Sequence, residues 1–137
     1  MDKVLLIAGS LLFLLGLLQG GVVDLFVNPR MALSAHLTAV QSGTAMMVVG
    51  GIWPAVTLSR RLAAIARWAI AGGMFGLWLA LTLSAATGAS RSLPMAGAGY
   101  SSSPVMETIV ETLLVASSAA IVVGWALLLL GLVRSKP

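Results

Sequence analysis

The chain has 137 residues, of which 59% are hydrophobic and only 9% are charged, and its mean hydropathy is +1.05. A soluble domain carries about a quarter charged residues, so this composition excludes a water-soluble globular protein and indicates an integral membrane protein. The net charge of +4 comes from basic residues scattered between apolar stretches, which excludes a nucleic-acid-binding face. Because cysteine is absent, disulfides, thiolate metal sites and cysteine nucleophiles are excluded as well.

Four apolar stretches follow one another, at about residues 4–26, 35–58, 62–86 and 105–133. Each exceeds the ~20 residues that a helix needs to cross a hydrocarbon core of ~30 Å. Lipid offers the backbone no hydrogen-bond partner, so each stretch should be a helix. The sequence therefore predicts a single-domain all-α membrane protein, a four-transmembrane-helix bundle. Cleavage of the first stretch as a signal peptide is the alternative, disfavoured because its apolar region is too long and no A-x-A-like site follows it.

The basic residues predict the orientation of these helices. If there are four spans, the residues sharing one side are Lys3, Arg60, Arg61, Arg67, Arg134 and Lys136. Arg30 and Arg91 lie on the other side. By the positive-inside rule, both termini should lie in the cytoplasm, and we expect a multi-pass protein of the inner (cytoplasmic) membrane.

The third connection, residues 88–104, is much longer than the other two and is rich in Gly, Ser, Ala and Pro. A segment of this length at a membrane surface is either a flexible linker or a lid over a site, and its composition favours the linker.

Small residues recur every four positions along the predicted helices, as in Gly16 and Gly20. Such stripes let helices approach closely within lipid, so bundle packing is the first interpretation. Packing against another subunit, or room for a flat ligand, are the alternatives.

His36 is the only histidine, near the outer end of the second predicted helix. One imidazole cannot hold a zinc ion, which requires three or four protein ligands. It can hold a haem iron, because the porphyrin supplies four nitrogens and one axial bond suffices. The alternative is an interfacial histidine that caps its helix or is hydrogen-bonded within the bundle.

Two acidic residues, Glu107 and Glu111, lie one turn apart at the outer end of the fourth predicted helix. A carboxylate in the hydrocarbon region is costly unless it is paired or hydrated, and Arg30 and Arg91 are available on the same side. The pair is either interfacial, or one member lines a cavity near His36.

Several segments resemble known small membrane isomerases. The run from Asn28 to Leu37, with Gly43 and Pro54, is similar to the hydroxylaminobenzene mutases, as are residues 93–100 and 105–108. Met46, Met47 and Trp53 extend the first of these matches. The chain also resembles a shorter relative of styrene oxide isomerase, in which an Ala-His pair opens the second helix. The corresponding pair here is Ala35-His36.

The resemblance implies a homo-oligomer, a trimer of four-helix protomers, that binds ferric haem b between subunits. It implies that His36 is the axial ligand and that Gly43 belongs to the cofactor site. Two positions depart from styrene oxide isomerase: Ser42 replaces an asparagine that orients the substrate, and Trp78 replaces a substrate-binding tyrosine. Ser42 follows His36 by six residues, which places it about 240° around the helix from His36. The two side chains would therefore meet at one iron only if neighbouring subunits shared the site.

We therefore expect an intramembrane mutase that rearranges an aryl hydroxylamine, a small aromatic substrate entering from the lipid bilayer, to an ortho-aminophenol. Ferric haem b would act as the Lewis acid, and Ser42, Trp78 and Glu107 are the expected catalytic-site residues. The alternatives are a styrene-oxide-type epoxide-to-carbonyl isomerase, a haem-bearing electron-transfer subunit and a non-catalytic membrane scaffold.

Overall fold

The computed structural model describes residues 1–134, so predictions that involve Lys136 lie outside the described residues. Four helices make up most of this range: α1 (Lys3–Gly20), α2 (Pro29–Ile52), α3 (Arg60–Thr87) and α4 (Pro104–Val133). Short 3-10 turns at Val23–Leu25 and Trp53–Ala55 follow α1 and α2. No strand occurs in residues 1–134, which confirms the all-helical prediction.

The helix α2 begins six residues before the predicted start of the second stretch. The helix α1 ends six residues before the predicted end of the first stretch. The Asn28 side chain accepts a hydrogen bond from the Met31 amide and thereby caps α2, and Pro29 occupies its first position. A prediction from apolar content alone does not detect such a cap, so it placed the start of the helix too late. At the other end Pro54 stops α2, because proline lacks an amide hydrogen. His36 consequently lies two turns inside α2, ~10 Å from its first residue.

Successive helices pack antiparallel in chain order, with α2 and α3 central and α1 and α4 at the two edges. Gly9 and Gly43 mark the close crossing of α1 and α2: a β-carbon on either would lie 2.7 Å from backbone of the other helix. The α3–α4 contact is built similarly, since a β-carbon on Gly73 would lie 3.0 Å from the Ser117 carbonyl oxygen. The glycines therefore serve helix packing here, as the first interpretation held.

Three of the four helices, α1, α3 and α4, are long and apolar enough to cross a membrane. They support a multi-pass membrane protein. The helix α2 is not among them, because polar residues such as Arg30, His36 and Gln41 interrupt its apolar residues. The four-span prediction is thus confirmed for three helices.

Candidate active site

The imidazole of His36 packs against the last turns of α1. Its Nδ1 lies 2.7 Å from the carbonyl oxygen of Gly16. A carbonyl oxygen can only accept, so the bond requires a proton on Nδ1, and in a neutral ring that is the Nδ1–H tautomer. The lone pair therefore resides on Nε2, which is the nitrogen left to bind a ligand.

The ring rests directly on α1 at Gly20. A β-carbon on Gly20 would lie 2.7 Å from both Nδ1 and Cε1 of His36 and 3.2 Å from Nε2. Nε2 makes no hydrogen bond to any residue of the described range, and the His36 side chain is half-buried. An imidazole whose Nδ1 is hydrogen-bonded and whose Nε2 has no protein partner is the donor that a haem iron accepts as an axial ligand.

No cluster of three or more His, Asp or Glu side chains within residues 1–134 could hold a metal ion by itself. A lone imidazole suits only an ion that arrives with most of its ligands, as in a porphyrin. The donor set of this chain therefore fits haem.

A polar network joins α1 to α3 beside this position. The Trp78 indole Nε1–H donates to Gln19 Oε1 at 2.7 Å, and the Gln19 amide donates to Thr82 Oγ1 at 3.1 Å. Gln19 is 6% exposed, and Phe75 meets the Trp78 ring edge-on. The same two turns of α1 thus hold His36 on one side and Trp78 on the other.

Ser42 and Gly43 occupy different surroundings on α2. Gly43 faces the Phe13 backbone of α1, where helix packing by itself requires glycine, and its part in cofactor binding stays a prediction. Ser42 is half-buried and about 240° around α2 from His36. No hydrogen bond links His36, Ser42, Trp78 or Glu107 to one another in the part of the chain that the structure describes.

Glu107 binds the backbone of the third connection. Its carboxylate accepts hydrogen bonds from the amides of Ser90, Arg91 and Ser102, at 2.9–3.1 Å. Both carboxylate oxygens are thereby occupied, and the side chain is 8% exposed. These contacts favour a structural role for Glu107, and a proton-relay role stays a prediction.

The third connection is folded against the bundle, which corrects the flexible-linker interpretation. Asn28 Nδ2 donates to the Ala96 carbonyl at 2.9 Å, and Arg30 donates to the Ala98 carbonyl at 2.6 Å. Arg91 forms the expected ion pair with Glu111 rather than with Glu107. The composition of the connection does not reveal these contacts, because the residues that bind it lie in the helices α2 and α4.

Two apolar depressions lie near this end of the bundle. The larger, about 390 Å³, lies between the α1–α2 connection and the last turns of α3. Its lining residues are Val22, Leu25, Phe26, Val27 and Ala86. The smaller, about 210 Å³, is formed by residues 92–96 of the third connection. His36 does not line either of these two depressions.

Sequence reasoning missed Gln19, Thr82 and the roles of Gly16 and Gly20. The signal for Gln19 was available, because a carboxamide within an apolar membrane helix is expensive and commonly functional. The two glycines were visible as a stripe, but nothing in the stripe indicates that they contact the histidine.

Comparison with known proteins relates the whole bundle to one family. The sequence profile of styrene oxide isomerase matches residues 1–133. Hydroxylaminobenzene mutase HabB of Ectopseudomonas oleovorans is 36% identical over 134 residues, which cover 97% of this chain and 81% of that protein. Hydroxylaminobenzene mutase HabA of the same organism is 33% identical over 135 residues, covering 98% of this chain and 100% of that protein. No solved structure matches significantly.

Proposed function

The chain belongs to the styrene oxide isomerase family, and on that premise we propose that it is an intramembrane mutase that rearranges an aryl hydroxylamine to an ortho-aminophenol. The family and both curated relatives are isomerases, so the protein is an isomerase. Two relatives above 30% identity over nearly the whole chain carry the name hydroxylaminobenzene mutase, which favours the hydroxylamine over an epoxide.

The proposal depends above all on the state of His36. Its Nδ1 is hydrogen-bonded to Gly16 and its Nε2 has no hydrogen-bond partner in residues 1–134, so Nε2 would hold a haem iron. A ferric haem bound there would supply a Lewis acid that polarises the N–O bond of the substrate.

The rearrangement needs no second substrate. The N–O bond breaks, a C–O bond forms at the ortho carbon, that carbon loses a proton and the nitrogen gains one. Substrate and product are isomers, so no oxidant or reductant is consumed.

The residues of the chain would bind the substrate and exclude water. Water would trap the cationic ring elsewhere, so the reaction benefits from apolar surroundings. Trp78 offers an indole face whose orientation is fixed by Gln19, and Ser42 has a hydroxyl without a partner in residues 1–134. The epoxide alternative is weaker, because an indole and a short hydroxyl replace the phenol and amide of styrene oxide isomerase.

We also propose that α2 spans the membrane, with both termini cytoplasmic. It runs antiparallel between α1 and α3: the Asp2 amide donates to the Gly50 carbonyl at one end, and the Asn28 amide to the Ala85 carbonyl at the other. A helix held at both ends between two spanning helices lies at their depth. A trimer, with Nε2 facing a neighbouring protomer, would complete the site.

The test uses purified protein in lipid nanodiscs, with phenylhydroxylamine and styrene oxide as substrates. We expect a Soret band, formation of 2-aminophenol, and little phenylacetaldehyde. His36→Ala should lose the Soret band and at least about a hundredfold in turnover, whereas Gly72→Ala, whose added methyl meets no atom within 4 Å, should retain both. Full haem and full activity in His36→Ala would refute the proposal.

A further inference from the structure

The contacts of His36 with α1 have a consequence beyond the choice of ligand. We propose that α1 is the positioning element of this histidine: the Gly16 carbonyl fixes the Nδ1–H tautomer, and Gly20 provides the space in which the ring lies, so that Nε2 is the one nitrogen presented. Only the identity of the group bound at Nε2 rests on the proposed function. The tautomer and the position of the ring are properties of the chain itself.

The tautomer follows from the chemistry of the two partners. The Gly16 oxygen, 2.7 Å from Nδ1, has no proton to give, so an Nε2–H tautomer would leave two lone pairs facing each other. Turning the ring over would replace Nδ1 by the carbon Cδ2 and lose the hydrogen bond. In membrane proteins and metal sites alike, the bond made by one ring nitrogen sets the role of the other.

The position of the ring follows from Gly20. Its missing side chain leaves a space that the imidazole fills, with Nδ1 and Cε1 each 2.7 Å from where a β-carbon would stand. No real β-carbon tolerates such a separation, so a methyl group there must displace something. The three nearest atoms all belong to the His36 ring, so the ring moves rather than the helix backbone.

Gly16 also lies at the contact between α1 and α2, so a substitution at Gly16 tests the position of His36 less cleanly than one at Gly20. A β-carbon on Gly16 would lie 2.8 Å from the Ala39 β-carbon and 3.1 Å from the Val40 amide nitrogen. A substitution there would push α1 and α2 apart and change the whole interface. The three atoms nearest to a β-carbon on Gly20 all belong to the imidazole, and a β-carbon on its neighbour Gly21 would meet nothing closer than the Leu18 carbonyl at 3.5 Å. Gly21→Ala is thus a matched control one residue away.

The first experiment reads the tautomer without any cofactor. Because His36 is the only histidine, histidine-selective ¹⁵N labelling of the full chain gives a single pair of ring signals, and their couplings to the Cδ2 and Cε1 protons distinguish Nδ1 from Nε2. At alkaline pH, where an imidazole is neutral, we expect a protonated Nδ1 and an unprotonated Nε2. A predominant Nε2–H tautomer, or an even mixture of the two, would overturn the proposal.

The second experiment compares Gly20→Ala, Gly21→Ala and the unsubstituted protein by titrating haem into the apoprotein in nanodiscs. We expect Gly20→Ala to weaken haem binding by about ten- to a hundredfold, the usual effect of disturbing a group that orients a metal-binding histidine. Its Soret maximum should shift, while its helical circular dichroism stays unchanged. Gly21→Ala should match the unsubstituted protein, and equal binding by all three would contradict the role of Gly20.

The outcomes separate this inference from the proposed function. If the unsubstituted protein binds no haem, the haem proposal fails, and the ¹⁵N spectrum still decides the tautomer. If haem binds but no aminophenol forms, the substrate proposal fails, and the Gly20→Ala titration still decides the positioning. If Gly20→Ala does not fold, the ¹⁵N spectrum of the unsubstituted chain remains the test.

Discussion

Trp78 illustrates how much one side chain in this bundle depends on another. Its indole packs against two clusters of buried apolar side chains. The indole Nε1–H donates to Gln19, a buried carboxamide that in turn donates to Thr82. In an apolar interior each of these polar groups would be costly without the others. Trp78 therefore belongs to a hydrogen-bonded network that joins α1 to α3.

Trp78→Phe should destabilise the protein by about 1–3 kcal/mol, because it leaves the Gln19 oxygen buried without a donor. Thermal unfolding in detergent measures the loss. Trp68→Phe is the control, since Trp68 is 62% exposed and its replacement should stay within about 0.5 kcal/mol. Adding Gln19→Leu to Trp78→Phe should recover part of the loss, because both partners are then apolar. Additive losses would show that the hydrogen bond carries no coupling.

Among the larger elements, the third connection is the one whose structure depends most on contacts from elsewhere. Asn28 and Arg30 hold it from the start of α2, and Glu107 holds it from the first turn of α4. Three backbone amides donate hydrogen bonds to the Glu107 carboxylate. Because the acceptor is charged, these bonds are stronger than hydrogen bonds between neutral groups. Glu107 acts as the centre of this connection, whereas Glu111 only pairs with Arg91 at the surface.

Glu107→Gln should loosen the connection and leave the helices intact. The amide that replaces one oxygen is a donor and opposes the backbone N–H groups, so the amides of Ser90, Arg91 and Ser102 should exchange hydrogen at least about tenfold faster. Hydrogen–deuterium exchange with mass spectrometry measures this. Glu111→Gln, which removes an exposed ion pair, should change exchange little. Similar exchange in both variants would argue against the central role of Glu107.

At the scale of the whole molecule, the question is how the bundle lies in the bilayer. Three helices are apolar enough to span it, and α2 lies between two of them. Among the polar residues of α2, His36 is half-buried against α1, whereas Gln41 is exposed on the protomer. A helix of modest hydropathy can thus cross a membrane when its polar groups face protein.

Cysteine accessibility tests this arrangement, and the absence of native cysteine makes each introduced thiol the only one. Met95, 89% exposed in the third connection, and Ser59, exposed between α2 and α3, lie at opposite ends of the bundle. In intact cells an impermeant maleimide should label Met95→Cys. Ser59→Cys should react only after the membrane is opened. Labelling of both residues, or the reverse pattern, would contradict the proposed orientation.

Hydropathy is enough to predict the class of structure and the number of helices. Apolar stretches of about 20 residues form helices because lipid leaves the backbone no other hydrogen-bond partner. The sequence also led to the prediction that His36 is an axial haem ligand, because His36 is the only histidine and cysteine is absent. The resemblance to hydroxylaminobenzene mutases then gave the family, which the relatives confirm.

The tertiary structure decided what those residues do. The cap at Asn28 set the start of α2, the Gly16 carbonyl bound Nδ1 of His36, and Glu107 held the third connection in a folded conformation. The contacts of His36 and Glu107 include partners at least 16 residues away, and the Asn28 cap is a local bond. Neither kind of contact changes the hydropathy of the sequence. Hydropathy follows from side-chain composition alone, whereas these contacts depend on which helix faces are brought together.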